Sequence, residues 1–98
     1  MHALHRLGLA LTLIALTGCG KKTDDHAYTI AVIPKGTTHE FWKSIHAGAV
    51  KAQQELAGKG TPVEVIWKGP LREDDRDQQI QVVENFTSRK VSGMVLAP

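Results

Sequence analysis

The 98-residue sequence has a single cysteine, Cys19, so no disulfide can form within the chain. It has no uninterrupted apolar run of the roughly 20 residues a membrane-spanning helix needs. Neither of the glycine-rich phosphate signatures, G-x-G-x-x-G or G-x-x-x-x-G-K-[ST], occurs, so there is no backbone cradle for a nucleotide after any strand. No nucleophile with a base placed to activate it is evident, so hydrolytic chemistry is unsupported. Charge of one sign is also missing: once the first 18 residues are set aside, eleven Lys and Arg stand against ten Asp and Glu. A balance this close to neutral gives no footprint for nucleic acid.

What is present begins with export. Met1 to Arg6 is short and basic, Leu7 to Leu16 is apolar apart from Gly8 and Thr12, and small residues follow, which is the layout of a secretory signal over residues 1–18. Leu16-Thr17-Gly18-Cys19 resembles the bacterial lipobox. That resemblance implies lipid on the sulfur of Cys19, a mature chain beginning there, and a membrane anchor without a spanning helix. The expected location is the cell envelope, outside the cytoplasm. Residues 19–27 are polar and aperiodic and read as a tether, leaving 28–98 for the fold.

Tyr28 to Ile33 is short, apolar and rich in β-branched residues, and Pro34 and Gly36 close it, so it is expected to be a buried strand. From Thr38 to Ala57, Phe41, Ile45, Ala49, Ala52 and Leu56 recur at helical spacing and predict a core-facing stripe. Thr37 and Glu40 fit a T-x-x-E capping box, and Gly58 and Gly60 stop the helix beside Lys59. The same grammar repeats. Val63 to Trp67 is a strand, Asp75 and Gln78 open a second helix with Ile80, Val82, Val83 and Phe86 as its apolar positions, and Gly93 to Ala97 is a third strand. Strand, helix, strand, helix, strand predicts an α/β fold with a parallel sheet and right-handed crossovers.

Ligands of such sheets bind outside the carboxyl ends of the strands, which singles out the loops PKGTTHEFW and KGPLREDD. A metal site is disfavoured: His39 and His46 lie about 10 Å apart along a helix axis, beyond the span of one ion, and are expected to be exposed. The acidic run Glu73, Asp74, Asp75 and Asp77 is accounted for by a helix N-terminus. No cofactor is expected. The first loop suits a neutral polar molecule such as a sugar: Lys35, Thr38 and His39 offer polar groups, and Phe41 or Trp42 a flat ring for apolar C–H faces. Neighbouring helical positions diverge by about 100°, so Phe41, in register with the stripe, is expected to face the core. Trp42 is left between the cleft and a packing role. Trp67 is expected to pack.

The segments YTIAVIPKGTTHEFWKSIHAGAVKAQQEL, VEVIWKGPLREDDRDQQIQVVENF and VSGMVLAP together resemble the N-terminal part of type I periplasmic binding proteins of the ribose-binding class. The resemblance runs from Tyr28 to Pro98. It implies a sugar-capturing, non-enzymatic component of an ABC importer, with the permease as protein partner, His39 at a hydrogen-bonding position, and Phe41 and Trp42 at stacking positions. The same fold serves repressor-type effector domains and receptors for sensor kinases, so a ligand-sensing receptor or regulator is the alternative. His39-Glu40 stands where the family often has Asn-Pro, which leaves the ligand open. Family members are about three times as long, so the resemblance implies a partial lobe, and residues 26–98 alone are expected to aggregate or unfold with little cooperativity.

Overall fold

The computed structural model describes His26 and residues 28–98. The signal segment, Cys19 and most of the tether lie outside the described residues. Strand β1 (Tyr28–Ile33), helix α1 (Glu40–Gly58), strand β2 (Val63–Trp67), helix α2 (Arg76–Ser88) and strand β3 (Gly93–Leu96) follow in chain order. The fold is α/β, with a three-stranded parallel sheet in the order β2-β1-β3. Tyr28 pairs with Val63 and Ile30 with both Val65 and Gly93, so β1 is the central strand. No helix among the described residues is long and apolar enough to cross a membrane.

The two helices lie on opposite faces. Ala31 and Ile33 of β1 cluster with Val82 and Phe86 of α2, and Ile66 packs against them. The next residue of β2, Trp67, points the other way and stacks on His46 of α1, with ring centroids 4.5 Å apart and planes 3° from parallel. Nearly all the buried apolar volume is on the α2 side. Phe86, only 2% exposed, is its largest aromatic contribution, and truncating such a ring to Ala typically costs about 3–5 kcal/mol.

Helix α1 is rotated from its predicted stripe. None of its residues is buried; the half-buried ones are Trp42, His46, Ala49 and Gln53. Phe41, Ile45 and Leu56, expected in the core, are exposed, Phe41 by 57%. The reason is that three of the sheet-side positions make directional contacts: Trp42 hydrogen-bonds, His46 stacks, and Gln53 accepts the Val65 amide at 2.7 Å. His46 is therefore not on the solvent side as expected, while Trp67 packs as expected. In α2, Val82 and Phe86 are buried but Ile80 turns outward.

The helix ends explain themselves chemically. The predicted Thr37/Glu40 box does not form: His39 is the N-cap of α1, its Nδ1 accepting from the Phe41 amide at 3.1 Å, while Glu40 pairs with Lys43 at 2.8 Å. Asp75 caps α2 by accepting from the Gln78 amide at 3.0 Å, but the Gln78 side chain turns to the Leu71 amide instead of completing the box. Both helices close in Schellman geometry. Gly60 (φ 80°) donates to Ala57 and Thr61 to Leu56 in α1; Lys90 (φ 54°) donates to Thr87 and Val91 to Phe86 in α2. Gly60 takes the left-handed conformation freely, whereas at Lys90 a Cβ is accommodated against the usual penalty.

Candidate functional site

At the carboxyl end of the sheet the β1–α1 and β2–α2 loops are stitched together. The Thr37 hydroxyl donates to the Pro70 carbonyl at 3.1 Å, the Thr38 hydroxyl to the Leu71 carbonyl at 3.1 Å, and the Thr37 amide to Leu71 at 3.4 Å. Pro34 and Pro70 are fully buried in this seam. The Trp42 indole N–H donates to Glu73 Oε1 at 2.6 Å. A Cβ at Gly36 would lie 2.8 Å from Glu73 Cγ and 3.2 Å from its backbone nitrogen, so only glycine lets Glu73 come this close.

Behind the seam lies a cleft of about 580 Å³ between the end of β1, the start of α2 and the end of β3, lined by residues including Lys35, Glu73, Asp75, Gln79, Leu96 and Pro98. Gln79 forms part of its wall. Its side-chain amide donates to the Pro34 carbonyl at 3.1 Å and to the Ala97 carbonyl at 2.7 Å, holding the ends of β1 and β3 together. Charges at the rim are mixed. Hydrogen bonds from the Arg72 guanidinium hold the Asp74 carboxyl below its ordinary range and raise Arg72 in turn. The hydrogen bond from Lys43 lowers Glu40 in the same way.

The five residues expected at the site fall into two groups. Lys35 is exposed and lines the cleft. Thr38, His39, Phe41 and Trp42 lie together at the start of α1 but do not line it. Thr38 directs its hydroxyl to the backbone of the second loop at Leu71, and His39 its Nδ1 to the backbone of the first helical turn at Phe41. Phe41 and Trp42 meet edge to face, with centroids 5.0 Å apart and planes at 77°. Phe41 reverses its expectation and is the ring turned to solvent, whereas Trp42, left open between cleft and packing, leans inward, half-buried, against the second loop. Glu73, which composition assigned to the helix N-terminus, joins the groups, since it lines the cleft and accepts from Trp42. Gln79 was also missed, and no signal in the sequence marks a glutamine that will reach two strand ends. Among the described residues no cluster of three or more His, Cys, Asp or Glu is placed to hold a metal ion.

Comparison with protein-family models, with curated proteins and with solved structures finds no match to this chain.

Proposed function

We propose that this chain is an extracytoplasmic solute-binding lipoprotein that captures a small polar ligand, sugar-like in chemistry, for an ABC importer. On this reading residues 28–98 form the first part of a periplasmic-binding-protein lobe, and the protein binds without catalysing a reaction. One observation carries the proposal: the pair of rings set at 77° where β1 passes into α1, at the end of the sheet where ligands of parallel α/β folds bind. An aromatic face suits the C–H face of a sugar, and Lys35 nearby supplies a donor for hydroxyls. Cys19 carries the lipid in this reading and tethers the domain to the membrane.

Titration of the purified chain with free pentoses and hexoses, followed by tryptophan emission, tests the binding. A saturable change that Trp42→Ala abolishes is the expected result. If no sugar perturbs the emission, and Trp42→Ala leaves the binding of any ligand then found unchanged, the reading fails. Labelling with a fatty-acid analogue tests the anchor, with incorporation expected in the parent and lost in Cys19→Ala. Genes for a permease and an ATPase beside this one support import, whereas a sensor-kinase gene there points to signalling.

A further inference from the structure

We propose that Glu73 is a positioning residue for the aromatic pair: its carboxylate fixes the Trp42 ring, and through it the Phe41 ring, relative to the cleft. The inference rests on the binding function proposed above and adds to it a residue from the second loop. Two independent features point to Glu73. The first is its 2.6 Å acceptor contact with the indole N–H, a charge-assisted bond and so among the stronger kind. The second is the space reserved for it, because Gly36 is buried and any side chain there would collide with Glu73 Cγ and press on its backbone nitrogen.

The consequence for recognition is specific. With its only polar hydrogen committed to Glu73, Trp42 has no donor to offer a ligand and contributes ring surface alone. The exposed Phe41 ring rests on Trp42 edge to face, so an indole free to turn about its side-chain torsions would release Phe41 as well. Glu73 also lines the cleft, as Lys35 does, so the acceptor that orients the rings borders the same space.

The test uses the full chain in detergent micelles with Trp67→Phe, so that Trp42 is the sole tryptophan, and D-ribose, D-xylose and D-galactose as probes. Glu73→Met, which keeps the reach but not the acceptor, and Gly36→Ala, which displaces the carboxylate, are both expected to shift Trp42 emission to longer wavelength and raise its quenching by acrylamide. Glu73→Gln, whose carboxamide oxygen still accepts, is expected to behave as the parent. For a sugar that binds, Glu73→Met should weaken affinity about three- to tenfold, the worth of one net hydrogen bond, and should have no further effect once Trp42 is Phe. Unchanged Trp42 emission and quenching in Glu73→Met overturns the proposal. So does an equal loss of affinity in the Trp42→Phe background, because Glu73 would then act on the sugar or the fold directly. If none of the sugars binds the parent, the binding function falls while the emission and quenching comparison still decides whether Glu73 holds Trp42.

Discussion

Gly69 lies hard against Pro34: a Cβ at Gly69 would sit 2.8 Å from both the carbonyl oxygen and the ring Cγ of Pro34. This approach brings the exit of β2 against the exit of β1, where the Lys68 amide donates to the Val32 carbonyl at 3.2 Å. Neither partner is the end of a flexible side chain, so Gly69→Ala must push the loops apart. The expected cost is about 1–3 kcal/mol, as for other overpacked sites. Hydrogen exchange at the Lys68 amide measures it, and should accelerate.

Gln79→Ala removes the donor shared by the Pro34 and Ala97 carbonyls and leaves both partly buried acceptors without it. The expected loss is about 1–3 kcal/mol. It should appear first as faster exchange of the Ala97 amide, which donates to Ile33 at 3.0 Å where β1 meets β3. Gln79→Glu should be worse than Ala, because it sets a carboxylate against two carbonyl oxygens.

The pairing of Arg72 with Asp74 has a pH signature. The Asp74 carboxyl titrates below its ordinary value because the guanidinium hydrogen-bonds its charged form. Its contribution is therefore complete above the ordinary carboxylate range and is lost as pH falls through the lower folded-state value. Arg72 is raised from a value already beyond working pH and adds no further dependence in that range. Titration of the Asp74 carboxyl by carbon NMR should show its midpoint rise in Arg72→Ala. About 1 M salt, where the screening length is about 3 Å, should move the parent the same way, since the pair is exposed.

The two sheet edges are defended unequally. On β2, the Gln53 side chain takes up the Val65 amide. On β3, Met94, Val95 and Leu96 are exposed, Val95 by 57%, with no charged residue among them. Such an edge is a template for strand pairing. Val95→Lys should lower light scattering of the concentrated protein. Gln53→Ala should raise it and speed exchange at Val65, at a cost of about 0.5–1.5 kcal/mol for the lost bond.

The strands were legible because their signals are local. YTIAVI and VEVIW are bounded by proline or glycine, and the observed β1 and β2 begin and end where those runs do. Asp75 as a cap was legible for the same reason. The face of α1 was not. Counting apolar residues favours Phe41, Ile45 and Leu56, whereas the inward face carries a tryptophan that donates to the second loop, a histidine that stacks on β2 and a glutamine that accepts from it. The capping residue was misplaced because Thr37 and Thr38, both good caps in isolation, give their hydroxyls to the other loop. Contacts between segments about 30 residues apart in sequence, such as Trp42 with Glu73, leave no periodic trace.

The two faces of the sheet are thus joined by different kinds of bond, and this sets what each can tolerate. Val82 and Phe86 adhere by shape and volume, so α2 can exchange one hydrophobe for another of similar size. Helix α1 is keyed at three places by angle, twice to strand β2 and once to the loop that follows it: an imidazole laid flat on an indole, an amide oxygen aimed at a strand N–H, and an indole aimed at a loop carboxylate. A roll of one residue about its axis would misalign all three at once, so sequence drift on this face is limited by direction, however little of the helix is buried.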